Sequence, residues 1–327
     1  MKKALILGIS GQDGSYLAEH MLNHGYEVHG IIRRHSVAEN QQYRLEAIRH
    51  KIHVHYGDIL DAPSLANILQ DVKPDEIYNL AAQSHVRVSF DIPHFTAQTN
   101  ALGVLNLLEA YRRICPEAGF YQASSSEMFG LNIDNDGFQR ETTPMNPTSP
   151  YGCAKVFAYN LVRHYRRAYG LRACNGILFN HESPRRGSNF VTSKVVKTAC
   201  MIKLGKADEL ELGNMDSYRD WGHSKDYVKA MHLITNYGDA DKLIADDFVI
   251  STMETHSVRE MCDVVFTYLG LDYKDFVKQN PKYMRPEELA YLRGDSTKAR
   301  ELLKWEPEYT FNDLMEEMTD HWMSILC

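Results

Sequence analysis

The sequence has no long basic run. Its 36 lysines and arginines are outnumbered by 43 aspartates and glutamates, for a formal charge of −7. That excludes nucleic acid and an anionic membrane surface as the main partner. No apolar run approaches the length of a membrane span. The six cysteines (Cys115, Cys153, Cys174, Cys200, Cys262 and Cys327) are scattered, with no Cys-x-x-Cys pair. A reduced, cytoplasmic protein with no zinc site fits that pattern. Repeats, low-complexity tracts and disordered linkers are also missing. Met1–Gly8 has a superficially signal-like start, but its apolar part is short and ends at a glycine turn, so it reads as a strand. What is left is 327 residues, 44% of them hydrophobic, enough for a large core in one or two domains.

Ala4–Leu7 is a short apolar run that leads into Gly8-Ile9-Ser10-Gly11-Gln12-Asp13-Gly14. A helical pattern follows, with Leu17, Ala18, Met21 and Leu22 on one side and Gly25 as its stop. Strand, glycine turn and helix in this order bring main-chain N–H groups close to a pyrophosphate. The spacing is G-x-x-G-x-x-G, which alone is a weak sign; its place after an N-terminal strand strengthens it. The second strand, Glu27–Ile32, ends in Arg33-Arg34. Arginines there suit the 2′-phosphate of NADP, where an acid would suit the 2′-hydroxyl of NAD. Further strands are expected at Ile52–Tyr56, Glu76–Leu80, Gly119–Ala123, Ala173–Phe179 and Asp247–Ser251. Helices are expected near Ala62–Leu69, Ala101–Tyr111, Asn189–Lys203, Ser224–Ile234, Val258–Leu269, Ser296–Leu303 and Phe311–Ser324. The alternation predicts an α/β fold, a doubly wound parallel sheet of Rossmann type with a smaller C-terminal substrate domain. Residues 1–182 with 216–251 would form the first unit, and 183–215 with 252–327 the second. Asp58, after the third strand, could accept from an adenine amino group or cap the next helix.

The fifth strand runs into Ser124-Ser125-Ser126-Glu127. Some twenty residues later comes Ser149-Pro150-Tyr151-Gly152-Cys153-Ala154-Lys155, which reads as a helix start. Ser149 can cap it and Pro150 suits its first turn. Tyr151 and Lys155, four apart, share a face. An ammonium beside a phenol is expected to pull the phenol's pKa down toward working pH. Tyr151 is then a general base for an alcohol, Ser125 a hydrogen-bond partner of the same oxygen, and Lys155 its tuner. Glu127 has no task in simple hydride transfer. A carboxylate there could take a second proton, as loss of water from a keto-sugar requires.

These motifs resemble the extended short-chain dehydrogenases/reductases. Within that group the chain resembles the GDP-mannose 4,6-dehydratase family, from the first strand to about Pro307. The resemblance rests on Gly8–Leu17, Gly30–Arg34, Tyr78–Val86, Ser124–Gly130, Ser149–Lys155, Phe179–Gly187, Arg219–Tyr227 and Gly294–Lys298. Phe179–Gly187 (FNHESPRRG) and the RDWGH of Arg219–His223 are its most specific parts. It implies Ser125, Glu127 and Tyr151 as catalytic residues, with Lys155 assisting. It implies NADP contacts at Gly8, Ile9, Ser10, Gly11, Gln12, Asp13, Gly14, Arg33, Asp58, Ile59, Leu80, Ala81, Ala82, Gln83, Ser84, Phe95, Lys155, His181 and Arg186. GDP-sugar contacts would fall on Ser84, Asn180, Lys194, Arg219 and Arg285, and no metal is implied. Arg219 and Arg285 match phosphate geometry, although either could pair with a nearby carboxylate. Relatives assemble as homodimers or homotetramers, and the Arg33–Asn40 loop could reach a partner subunit.

The chain departs from the family pattern at Ser125, where Thr is common, and at Phe95, where Tyr is common. It also departs at His35–Asn40 and at Leu131–Gln139, which would border cofactor and sugar. GDP-manno-heptose therefore stays open as a substrate beside GDP-mannose. So does a GDP-sugar 4-reductase or epimerase, which would not need Glu127. A non-catalytic NADP-binding protein is opposed by the intact Ser125, Glu127, Tyr151 and Lys155 set.

Overall fold

The first apolar run forms β1 (Lys3–Leu7), and the glycine turn delivers the chain into α1 (Gln12–Asn23). The computed structural model describes residues 1–34, 42–239, 242–284 and 286–327. Arg285 and residues 35–40 of the expected partner-reaching loop lie outside the described residues. Gly8 has φ +79°, and a Cβ on it would sit 3.0 Å from the Leu80 main chain. A Cβ on Gly14 would lie 2.3 Å from the Gly8 carbonyl oxygen. Conformation calls for glycine at position 8, and lack of space demands it at position 14. Gly11, the N-cap of α1, offers its first N–H groups no side-chain partner.

β2 (Glu27–Ile32), β3 (Ile52–Tyr56), α2 (Ala62–Val72) and β4 (Glu76–Asn79) follow. The cap of α2 is Asp61, whose Oδ1 accepts from Ser64 N at 3.3 Å. Asp58 instead accepts from Leu60 N at 2.9 Å, so it does not cap that helix. Two short helices not foreseen from the pattern, α3 (Val86–Asp91) and α4 (Pro93–Ala97), come next. A π-helical turn at Gln98–Leu102 then opens into α5 (Gly103–Ile114). The expected helix at Ala101–Tyr111 therefore starts later and runs longer. β5 (Gly119–Ser125), α6 (Pro150–Tyr169), β6 (Ala173–Leu178), α7 (Val191–Lys203) and α8 (Ser224–Thr235) continue the alternation. β7 (Asp247–Ile250), α9 (Val258–Tyr268), α10 (Thr297–Leu303) and α11 (Phe311–Leu326) complete it.

Among the described residues these strands form one seven-stranded parallel sheet in the order β7-β6-β5-β4-β1-β2-β3. One face is covered by α1, α8 and α10, the other by α2, α5 and α6. The order reverses between β1 and β4, which opens a crevice at the carboxyl ends of the strands. A third apolar cluster joins α7, α9 and α11 and contains none of the seven strands. No helix among the described residues is long and apolar enough to cross a membrane.

Trp305 ties the C-terminal part to the sheet. It is 2% exposed and packs at 89° to the Tyr227 ring, with its Nε1 donating to Asp226 O at 2.8 Å. Trp305→Ala is expected to cost about 3–5 kcal/mol, read as a lower denaturant midpoint with unchanged slope.

The Leu131–Gln139 run corrects an expectation. It turns back on itself, with Asp134 N donating to Phe138 O at 2.9 Å. Arg140 gathers Asp134, Asp136 and Asp295 at 3.1, 2.6 and 2.7 Å. Gln139 is clamped between Arg293 O and Asp295 N. Three carboxylates around one guanidinium fold this run onto residues 293–295, and it does not border the cavity described next.

Candidate active site

β5 carries Ser125 to the carboxyl edge of the sheet, and a 3₁₀ turn at Ser126–Met128 follows at once, presenting Glu127. The Ser125 hydroxyl accepts from Glu127 N at 3.2 Å, which fixes that exit. α6 starts as its sequence implies: Ser149 Oγ accepts from Gly152 N at 3.0 Å, and Pro150 occupies the first turn. Ser89 Oγ accepts from Tyr151 N at 3.3 Å. A Cβ on Gly152 would lie 2.8 Å from the Glu127 carbonyl oxygen and 2.9 Å from Pro147. The two segments are therefore in direct main-chain contact. Ser125, Glu127, Tyr151 and Lys155 all line one cavity of about 350 Å³.

Burial dominates the electrostatics there. Tyr151 is pushed up to about 12 by desolvation, against the pull of a Ser125 hydrogen bond. The Glu127 charge pushes the same way as burial. This reverses the lowered phenol expected from the Tyr-Lys spacing. The Lys155 Nζ lies 5.7 Å from the Tyr151 ring centroid and donates to Ala123 O at 2.7 Å. Lys155 is itself depressed to about 8 by burial, with Asp13 partly offsetting. Its ammonium holds the strand end as much as it faces the phenol.

Asp13 and His181 form a pair at the same cavity, Nε2 to Oδ2 2.8 Å. His181 Nδ1 donates to Phe179 O at 2.7 Å. Burial alone would raise Asp13 and lower His181. Their mutual charge and hydrogen bond outweigh it, so Asp13 ends below and His181 above its ordinary value. Gln12 braces the pair, donating to Asp13 and to His181 O, and accepts from Ser183. Leu80, Ala82, Ser84 and Arg186 also line the cavity. Arg186 pairs with buried Glu182 at 2.8 Å.

The remaining predicted cofactor contacts stand outside that lining. Gly8–Gly11, Arg33 and Asp58 follow the ends of β1, β2 and β3, three adjacent strands. Ile59 is buried against Gly103, Phe95 is 37% exposed on α4, and Ala81 and Gln83 follow β4. Asn180, Lys194 and Arg219 line the same cavity as Tyr151. Asn180 Oδ1 is buried with no hydrogen-bond partner among the described residues. Lys194 donates to Glu211 O at 2.6 Å and sits 3.7 Å over the Tyr283 ring. Arg219 donates to Tyr218 O and Leu289 O and pairs with Glu288 at 2.9 Å. The carboxylate partner left open from sequence is thus real for Arg219.

The chain matches the family described as GDP-mannose 4,6 dehydratase over residues 5–318. It is 49% identical to GDP-mannose 4,6 dehydratase 1 of Arabidopsis thaliana, across 98% of this chain and 89% of that one. It is 46% identical to the Homo sapiens GDP-mannose 4,6 dehydratase, across 96% and 90% of the two chains. The Vibrio cholerae protein of that name is also 46% identical, across 97% and 92%. The chain belongs to the GDP-mannose 4,6-dehydratase family.

Solved structures at lower identity show the fold of this GDP-mannose 4,6-dehydratase family member in other settings. dTDP-glucose 4,6-dehydratase from Bacillus anthracis in complex with NAD superposes with a TM-score of 0.84 at 21% identity, covering 99% of this chain and 97% of that one. RMD from Pseudomonas aeruginosa complexed with NADPH superposes at 0.80 and 22% identity, covering 99% and 100%. Sequence reasoning missed two residues that shape the dehydratase-family site. Asn100, in the π turn, accepts from Gln83 N at 2.8 Å and donates to Gln83 O at 2.9 Å. It thereby holds the loop after β4; π turns often mark such places. Glu288 engages Arg219 from 69 residues away, with no local signal to announce it.

Proposed function

We propose that the chain converts GDP-mannose to GDP-4-keto-6-deoxymannose, a lyase reaction with NADP as resident cofactor. The observation that carries this is Glu127 opening into the same cavity as Tyr151. The Gly8 and Gly14 turn, with no room for a Cβ and an α1 start that lacks a side-chain cap, suits a dinucleotide pyrophosphate. Arg33 at the end of β2 suits the 2′-phosphate. A nicotinamide held by that glycine turn would supply the hydride chemistry, as acceptor for the hydride of the sugar C4 and donor of it to C6. Tyr151 takes the 4-hydroxyl proton, with Ser125 hydrogen-bonded to the same oxygen. Glu127 removes the C5 proton, made acidic by the new ketone, and protonates the departing 6-hydroxyl; C5 regains a proton when hydride is restored at C6, balancing the one Tyr151 took from the 4-hydroxyl. One carboxylate serves as base and then acid, so it must reach both carbons from one position.

In this reading residues 1–182 with 216–251 hold the cofactor. Residues 183–215 with 252–327 hold the nucleotide sugar, through Ser84, Asn180, Lys194, Arg219 and Arg285 from both units. The separate apolar cluster of α7, α9 and α11 supports the division. The enzyme works in the cytoplasm with its cysteines as thiols, as a homodimer or homotetramer. Light scattering of the purified protein reads the subunit number. The deciding experiment is mass spectrometry after incubation with GDP-mannose or GDP-manno-heptose, with no cofactor added. Loss of one water from GDP-mannose is expected. Loss only from the heptose would move the substrate, and no loss from either would end the proposal.

Lys155 gives a pH prediction. Its charge is present below about 8 and lost as pH rises through that value. NADP affinity, followed by fluorescence, is therefore expected to weaken on the alkaline side of that point. Lys155→Met should bind more weakly throughout and lack the limb. The same limb in the variant would assign it to another group.

A further inference from the structure

Outside the cavity, the described residues hold two clusters with donor atoms close enough to share a metal ion. One is His20, His24 and His232, and the other is Glu27, His29 and His53. In the second, the one carboxylate is already committed to ion pairs, and no hydrogen bond among the described residues anchors His53. His29 Nδ1 meets His55 Nε2 at 3.0 Å, and Nε2 meets Glu27 at 2.8 Å. Glu27 also pairs with Lys3. Glu27 and His29 thus satisfy each other on the β2–β3 edge.

The first cluster is built differently. His20 and His24 sit one turn apart at the end of α1, and His232 comes from the last turn of α8. These two helices pack side by side on one face of the sheet. His24 Nδ1 lies 2.8 Å from the His20 carbonyl oxygen. A carbonyl only accepts, so Nδ1 carries the proton and Nε2 is bare. Tyr26 donates its hydroxyl to Glu76 at 2.8 Å, and its oxygen lies 3.2 Å from His232 Nε2. That chain assigns the His232 proton to Nε2 and leaves Nδ1 bare. His232 Nδ1 in turn lies 3.0 Å from His20 Nε2. Metal-binding imidazoles are commonly held in this way, with the second nitrogen anchored to a carbonyl or through a hydroxyl to a carboxylate.

We propose that His20, His24 and His232 form a binding site for a divalent transition cation of the zinc class, bridging α1 and α8. One nitrogen from each lies within 4.8 Å of the others. A tetrahedral zinc site with bonds of ~2.0–2.1 Å wants nitrogens ~3.4 Å apart. Exposed His24 supplies the small inward movement. His20 moves its proton to Nδ1 by exchange with solvent, so three neutral imidazoles bind and no net proton is released. Water takes the fourth position from the exposed side. None of the three residues lines the catalytic cavity. The absence of Cys-x-x-Cys noted from the sequence does not bear on this all-nitrogen donor set.

The test uses tag-free, full-length protein titrated with ZnCl₂ against a chromophoric chelator, and with CoCl₂ followed by visible absorption. Wild type is expected to bind one equivalent. Cobalt should give d–d bands with no thiolate charge-transfer band, and zinc should raise the thermal midpoint by about 2–4 °C or more. His24→Ala should weaken binding by more than about 100-fold, and Tyr26→Phe by the ~10–100-fold typical of an anchoring partner. His53→Ala should leave it unchanged. His24 is exposed, and His24→Ala should keep its metal-free thermal midpoint and its dehydration activity. Absence of zinc binding in wild type, full affinity in His24→Ala, or a thiolate band would each overturn the assignment.

Discussion

In Glu127→Gln, bound NADP is expected to become reduced on addition of GDP-mannose, while dehydrated product falls by about 10²–10⁴-fold. The amide keeps the side chain's size and its place in the cavity. It removes the capacity to take the C5 proton or to give one to the departing hydroxyl. Tyr151, Ser125 and Lys155 remain in place, so the first stage proceeds and the second stops. Absorbance of the reduced nicotinamide and mass spectrometry of the sugar read the two stages separately. Normal turnover by this variant would remove Glu127 from the chemistry.

Tyr151→Phe is expected to fail earlier. Neither reduced nicotinamide nor product should accumulate, with a loss of about 10²–10⁴-fold in the first stage. Burial keeps the phenol high, at about 12, so in the free cavity it is a phenol at neutral pH. It can act as a base only when positive charge offsets that burial. Lys155, near the ring, supplies one charge, and an oxidised nicotinamide brings another. Phe keeps the ring and its packing and loses only the oxygen. GDP-mannose affinity should therefore stay close to that of wild type. Reduction of the cofactor at the normal rate in Tyr151→Phe would assign the proton to another group. The two variants differ in one observable, the reduced nicotinamide, and so separate the two roles.

The sheet was legible because each of its strands is a short apolar run bounded by turn residues. β2 and β3 fall where the pattern puts them, and the other strands differ at their ends by one or two residues. α6 was legible for a local reason too, since Ser149 and Pro150 carry its cap and first turn in sequence. The electrostatics were not. A Tyr-x-x-x-Lys spacing reports proximity on a helix but says nothing of the burial that raises Tyr151 and depresses Lys155. The Arg219–Glu288 pair and the Gln83–Asn100 clamp join segments with no shared periodicity. The Leu131–Gln139 run looked like a border of the site because it is unusual. Its acids are explained instead by Arg140, which holds them away. The three-histidine cluster was invisible for the same reason, since α1 and α8 meet only in the folded chain.

The contact between Gly152 and the Glu127 carbonyl has a consequence for how this scaffold can change its diet. That contact fixes the separation of the two backbones from which the phenol and the carboxylate project. Accommodating a bulkier hexose on this side would pull the proton-handling groups apart. Widening meets less resistance where side chain meets side chain, as at Lys194 on Tyr283 and Arg219 on Glu288. On the proposed reading, selectivity would drift through those side chains while Tyr151 and Glu127 stay in register.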